Sequence, residues 1–107
     1  MAGKKEEIST SFLKQLGRQV YSLRKAAGLS MEELGLEVGL SKIHIHRIEN
    51  GYNITMITLL KISLAFDMKL AELLDFKYPA DKETLEQLVN NNKSYRFDLK
   101  KSKNKRK

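Results

Sequence analysis

Residues 30–51 read SMEELGLEVGLSKIHIHRIENG, and this segment carries the signals of two short helices joined by a tight turn. Ser30 precedes Glu33 by three residues, which is the capping-box pattern of a helix start. Gly39 ends this helix after about two turns, and Ser41 is placed to cap a second helix. We interpret the segment as a helix-turn-helix, a motif whose second helix enters the major groove of DNA.

The segments on both sides of this motif also predict helices, so we expect an all-α fold. Residues 9–27 place apolar side chains at spacings of four and three on one face. Gly28 follows at the position of a left-handed C-terminal cap. Downstream, the pattern predicts a helix capped by Thr55 and reaching about Phe66, and a short fifth helix over Leu70–Leu74. Beyond Pro79 it predicts a further helix over Asp81–Asn90, with Asp81 positioned as its cap.

The composition limits the class of protein. The chain has 107 residues, a formal net charge of +7 and no cysteine. This length suits one domain, and the lack of cysteine excludes disulfides, thiol nucleophiles and zinc–cysteine sites. No apolar run approaches the roughly 18 residues of a membrane span, and residues 1–7 lack the apolar stretch of a signal peptide. We therefore expect a cytoplasmic protein with no membrane partner.

The positive charge is concentrated at the C-terminal end of the chain. Residues 1–92 carry 12 Lys/Arg and 12 Asp/Glu, whereas residues 93–107 carry 8 Lys/Arg and Asp98 alone. We expect this basic tail to be disordered, although Tyr95, Phe97 and Leu99 alternate with the period of a strand. The predicted organisation is a flexible N-terminus over 1–8, a domain over 9–78, a helical extension over 79–92 and the basic tail over 93–107.

Three linked sequence runs resemble one family. The runs LRKAAGLSMEEL (23–34), VGLSK (38–42) and IHRIENG (45–51) are similar to the lambda-repressor/Cro-type (XRE-like) helix-turn-helix family, over residues 12–75. The resemblance implies a five-helix lambda-repressor-like domain that acts as a transcriptional regulator. We expect no catalytic activity and no cofactor, because the chain has no paired carboxylate motif and no phosphate-binding glycine loop, and its histidines are poorly placed for catalysis. A module of this size reads few base pairs, so we expect a homodimer on a palindromic operator of double-stranded DNA.

Helical geometry predicts which side chains of the second helix of the motif face outward. Ile45 and Ile48 define its buried side, because they lie about 60° apart on the helix. Both this geometry and the family resemblance assign base contacts to the residues that face away from that side or lie at the groove-probing N-terminal end. These candidates are Lys42, Ile43, His46 and Arg47.

The chemistry of these side chains suggests their roles. Arg47 can donate to both O6 and N7 of guanine, and Lys42 can donate to guanine or to a phosphate. Ile43 suits a thymine methyl group, with an ordinary exposed isoleucine as the alternative. His46 is either a base donor or a solvated side chain. A metal site at His44 and His46 is excluded, since residues two apart on a helix diverge by about 200°.

Candidate phosphate contacts, which would fix the register on DNA, are Ser30, Met31, Ser41, His44, Asn50 and Tyr52. Ser30 and Ser41 can cap their helices and still contact a phosphate. Asn50 can likewise end its helix and still contact a phosphate. His44 is alternatively a solvated side chain. Met31 stands where the family usually has a glutamine, and this substitution puts its phosphate contact in question.

The resemblance also implies an ion pair between Arg24 and Glu49, which would link the first helix to the end of the third. The alternative is two independent surface charges.

Gly35 stands where the family prefers alanine, so we expect the close packing to be kept and helix stability to fall by roughly 0.5–1 kcal/mol. Residues 52–54 lack the basic residue and the proline often found there, so we expect fewer phosphate contacts from that loop.

Two related functions stay open. In an antitoxin, the same domain would bind the operator while residues 93–107 add a strand to a toxin. The other is a controller protein of a restriction–modification system.

For the homodimer, we expect the contact on the apolar side of residues 68–89, unless this segment packs entirely on its own domain. The candidate contact residues are Phe76, Leu85, Leu88 and Val89.

Overall fold

The structure, a computed structural model, describes residues 11–90. Every regular element in that part of the chain is a helix, which confirms the predicted all-α class. The helices are α1 (Ser11–Ala26), α2 (Met31–Val38), α3 (Lys42–Glu49), α4 (Met56–Ala65), α5 (Leu70–Leu73) and α6 (Lys82–Asn90). The expectations for the N-terminus, the basic tail and the strand-like alternation at 95–99 lie outside the described residues.

The helix ends follow local signals in the sequence. The Oγ atom of Ser30 accepts a hydrogen bond from the Glu33 amide at 3.0 Å, and the Glu33 carboxylate accepts one from the Ser30 amide at 2.8 Å. This is the predicted capping box of α2. Gly28 and Gly39 both adopt the left-handed φ of +73° that ends α1 and α2. Thr55 caps α4 as predicted.

One apolar core holds the first five helices together. Its buried side chains are Leu16 and Val20 of α1, Leu34 and Val38 of α2, Ile45 and Ile48 of α3, Leu59 and Ile62 of α4, and Leu73 of α5. Burying each such side chain stabilises the fold by about 1.5–3 kcal/mol relative to exposure. Both α1 and α2 pack on α3, so the core fixes α3 from two sides.

Helix α6 follows a small aromatic cluster and is capped as predicted. The ring centroid of Phe12 lies 5.4 Å from that of Phe76 and 4.9 Å from that of Tyr78, and the centroids of Phe76 and Tyr78 lie 5.8 Å apart. The Oδ1 atom of Asp81 accepts hydrogen bonds from the hydroxyl and the amide of Thr84 at 2.7 and 2.9 Å, and these bonds lower the pKa of Asp81. Within the described chain no side chain of α6 is buried, so α6 does not pack entirely on its own domain.

None of the helices between residues 11 and 90 combines the length and the apolar character that a membrane span requires.

Candidate nucleic-acid interface

Helix α3 is fixed along its inner side and open along its outer side. Ile45 is fully buried and Ile48 nearly so. The four candidate base-contact side chains, Lys42, Ile43, His46 and Arg47, are all exposed, with Ile43 at 60%. The structure thus places them on one accessible side of a short helix, as the helical geometry predicts.

Arg47 and Tyr52 lie together at the C-terminal end of α3. The guanidinium carbon of Arg47 lies 6.0 Å from the centre of the Tyr52 ring, at the outer limit of a cation–π contact. The Tyr52 amide also donates to the Arg47 carbonyl oxygen at 3.0 Å. The loop after α3 therefore places a ring beside the candidate guanine-binding side chain, a contact that the sequence interpretation did not foresee.

Four of the candidate phosphate contacts, Ser30, Ser41, His44 and Asn50, form hydrogen bonds at helix ends. The Oγ atom of Ser41 accepts from the His44 amide at 3.3 Å and lies 2.8 Å from Nδ1 of the same histidine. The side-chain amide of Asn50 donates to the His46 carbonyl oxygen at 2.7 Å. Capping is thus present at Ser30 and Ser41, and a hydroxyl that accepts a hydrogen bond can still donate its own proton.

An open groove of about 530 Å³ runs beside the N-terminal ends of α2 and α3. It is lined by residues 24–25, 28–33 and Lys42, so Ser30, Met31 and Lys42 share one surface. Lys25 lines the same groove and was not among the predicted contacts. The signal that points to it is the stretch 9–29, which contains four cations and no acid.

Arg24 and Glu49 form a bidentate ion pair between α1 and the end of α3. Nε of Arg24 lies 2.6 Å from Oε2 of Glu49, and Nη2 lies 3.1 Å from Oε1. The third donor, Nη1, bonds to the Leu29 carbonyl oxygen at 2.8 Å. The two side chains are only 7% and 4% exposed. The hydrogen bond to Glu49 raises the pKa of Arg24, so the guanidinium is held charged.

Two glycines allow the backbone of the motif to approach its neighbours closely. A Cβ atom on Gly17 of α1 would lie 2.6 Å from the carbonyl oxygens of both Ile48 and Glu49. A Cβ atom on Gly35 of α2 would overlap the carbonyl oxygen of Leu40 in the turn. The close packing expected at Gly35 is therefore present, and the turn occupies the space that an alanine methyl group would need.

No group of three or more metal-ligating side chains that could hold an ion occurs between residues 11 and 90. His44 and His46 are both exposed on α3. His44 instead bonds to the cap of its own helix.

Comparison with known proteins places this architecture in a family. The helix-turn-helix family model HTH_3 matches residues 20–73. The restriction-modification controller protein C.AhdI from Aeromonas hydrophila is 32% identical, with a TM-score of 0.58 over 60% of this chain and 98% of that chain. A chain of the SinR protein/SinI protein complex is 29% identical, with a TM-score of 0.54 over 85% of this chain and 97% of that chain. No curated protein matches the sequence.

The match over residues 20–73 spans the four helices α2 to α5 completely and includes Arg24 and Glu49, the pair that fixes α3. The chain belongs to the XRE/lambda-repressor-like helix-turn-helix family of DNA-binding transcriptional regulators.

Proposed function

We propose that this protein is a sequence-specific, non-enzymatic regulator that reads double-stranded DNA by placing α3 in the major groove. The observation that carries the proposal is the geometry of α3, whose inner side is fixed by the core and by the Arg24–Glu49 pair while its outer side is exposed. Base readout needs side chains on a rigid, accessible helix. The working location of such a protein is the cytoplasm, on the nucleoid.

Within this proposal the outer side chains divide into two groups. Lys42, Ile43, His46 and Arg47 contact bases, and Arg47 forms the bidentate contact with a guanine. The cationic side of the groove beside α2, next to Ser30 and Met31 and away from Glu32 and Glu33, receives a phosphate of the DNA backbone. Ser41 and His44 at the start of α3, and Asn50 and Tyr52 at its end, contact other phosphates. Lys25, which lines this groove, supplies a cation close to the position where Met31 lacks a strong donor.

Replacing Arg47 with alanine is expected to weaken binding to the preferred site by about 1–3 kcal/mol and to relax base preference at one position. The measurement is fluorescence anisotropy with the preferred site and with single-base variants of it. Arg18→Ala is the matched control, since Arg18 is an exposed arginine on α1. If Arg47→Ala lowers affinity equally for all sequences, Arg47 contacts a phosphate instead of a base.

We further propose that the protein binds as a homodimer to a palindromic operator. Two symmetry-related α3 helices reach successive turns of the major groove when the half-sites lie about 34 Å apart. Selection of bound sequences from a random DNA pool tests this directly. Two inverted half-sites at that spacing are the expected product, and a single unrepeated site would contradict the dimer.

The basic tail is proposed to add non-specific attraction to DNA. Residues 93–107 carry the entire positive excess of the chain, and each lysine that contacts a phosphate releases counterions. A chain ending at Asn92 is therefore expected to bind random DNA more weakly and with a shallower dependence of log affinity on log salt concentration. The readout is a salt titration of both chains. An unchanged slope would show that the tail does not touch DNA.

A second, narrower candidate is a controller of restriction–modification genes. The observation that favours it is the 32% identity to C.AhdI, of which this chain covers 98%. A reporter fused to the promoter of a neighbouring restriction or methyltransferase gene tests it. Expression of the reporter should change when this protein is supplied and should not change with the Arg47→Ala variant.

A further inference from the structure

Two helices carry apolar faces that nothing in the described chain covers. The α4 face consists of Met56, Ile57, Leu60 and Leu64, which are 41–65% exposed. The α6 face consists of Leu85 and Leu88, both exposed, and Val89, which is half-buried. Contiguous exposed apolar side chains of this kind mark interaction sites.

The α4 face lies on the opposite side of its helix from the core. Leu59 and Ile62 point into the core, and the midpoint of the α4 face is about 140° away from them at 100° per residue. The α4 face therefore belongs to the outside of the domain. A helix laid along it would bury apolar surface on both helices, the arrangement by which amphipathic helices bind apolar grooves.

The charges of the two helices are complementary. Lys61 is the one charged residue of α4 and lies beside Leu64 at the edge of the α4 face. Helix α6 with its cap has three acids, Asp81, Glu83 and Glu86, against Lys82. Glu86 lies about 100° from Leu85 on the helix, at the edge of the α6 face. Packing α6 on α4 brings opposite charges together at the rim.

Self-pairing of two α4 faces is less favourable. Lys61 lies near the middle of α4, so a two-fold axis through the α4 face would bring two lysines of like charge close together. The α6 face would also stay uncovered. Exchange between two copies covers all four faces with two equivalent contacts, as two-fold symmetry requires.

The connection to α6 suits such an exchange. The aromatic cluster ends at Tyr78, and residues 79–81, which join it to α6, are all exposed. Because no side chain of α6 is buried in the described chain, packing α6 on another copy would break no contact with the core of its own domain.

We propose that in the homodimer the α6 face of each copy packs on the α4 face of the other copy. This inference rests on the homodimer proposed above and names the surfaces that close it. Because α4 follows α3 after a short loop, the contact also sets the separation of the two α3 helices. The exchange is thus the element that defines the half-site spacing.

Disulfide trapping tests the exchange, since the chain has no cysteine of its own. Single variants Leu64→Cys and Leu88→Cys are mixed in equal amounts, oxidised mildly and analysed by non-reducing electrophoresis and peptide mass spectrometry. The expected product is a covalent dimer that joins position 64 of one chain to position 88 of the other. Leu60→Cys and Leu85→Cys, mixed and oxidised in the same way, test a second register, in which the paired positions lie about one turn earlier on both helices. Leu36→Cys on α2 is the control, because Leu36 is 84% exposed and lies on neither face.

Each other outcome overturns the exchange. Efficient crosslinking of Leu64→Cys with itself indicates self-pairing of α4. In a chain that carries both Leu64→Cys and Leu88→Cys, an intramolecular disulfide indicates that α6 folds onto its own domain. If sedimentation equilibrium shows a dimer but neither pair of positions forms an α4–α6 crosslink, the exchange is rejected and the homodimer proposal is retained. A protein that stays monomeric, alone and on DNA, rejects both.

Charge reversal gives an independent readout. Lys61→Glu is expected to raise the dimer dissociation constant roughly five-fold, and Glu86→Lys by a similar factor, as expected for partly exposed ion pairs. The double variant should recover most of this loss. All these positions are exposed, so folding, checked by circular dichroism, should be unchanged. Additive losses in the double variant would contradict a contact between the two positions.

Discussion

Replacing Glu49 with glutamine is expected to lower the free energy of unfolding by about 3 kcal/mol. The substitution keeps the size of the side chain but removes its charge, and it leaves the nearly buried guanidinium of Arg24 without its ionic partner. One-sided removal of a buried pair leaves an uncompensated charge, whose desolvation is no longer offset. Because domains are stable by only about 5–15 kcal/mol, the loss should be plain in a urea titration.

Two further variants make this result specific. Glu37→Gln alters an exposed glutamate of α2 and is expected to change stability by no more than about 0.5 kcal/mol. Replacing Arg24 with methionine and Glu49 with leucine together should recover much of the loss, since an apolar pair leaves no charge unpaired. If Glu49→Gln behaves like Glu37→Gln, the pair does not hold α3 to α1.

Replacing Gly17 with alanine is expected to destabilise the protein by about 2 kcal/mol, against the usual preference of helices for alanine. The added methyl group would lie 2.6 Å from two backbone carbonyl oxygens at the end of α3, and backbone cannot move aside as a flexible side chain can. The same displacement should weaken specific DNA binding, because it shifts α3 relative to α1. Chemical denaturation and anisotropy measure the two effects.

The matched control for Gly17 is Ser22→Ala, in the exposed part of the same helix. There the change adds helix propensity without a new contact, so stability should stay the same or rise slightly. A Gly17→Ala variant that is as stable as Ser22→Ala would show that α1 and α3 can separate without cost.

The helices and their caps were predictable because their signals are local. The capping box of Ser30 and Glu33, the left-handed Gly28 and Gly39, and the cap at Asp81 each depend on residues within one or two turns. The orientation of α3 was predictable for a similar reason, since two isoleucines three residues apart define one side of a short helix.

Close approaches between helices could not be predicted in this way. Gly17 lies in the middle of a helix, where glycine costs about 1 kcal/mol relative to alanine, and this cost was the one available hint of a close contact. At Gly35 the family's preference for alanine predicts close packing, but it does not indicate that the Leu40 carbonyl oxygen lies there. In both cases the deciding neighbour is a carbonyl oxygen from another part of the chain.

The periodicity of the sequence also does not predict which side of α4 is exposed. The helix reads MITLLKISLA, which is apolar on almost every side. Such a sequence does not indicate which of its leucines and isoleucines enter the core, because both sides satisfy the same pattern. Only the packing of the domain shows that Leu59 and Ile62 are inside while Leu60 and Leu64 are outside.

The division of α3 into a fixed inner side and an open outer side has a consequence for how such proteins diversify. Stability depends on the inner pair, Ile45 and Ile48, and on Glu49 at the helix end. Substitutions at the outer positions touch none of these contacts and should alter folding by only about 0.5 kcal/mol. A duplicated copy of this gene could therefore acquire a new operator by a few outward changes while every intermediate stays folded.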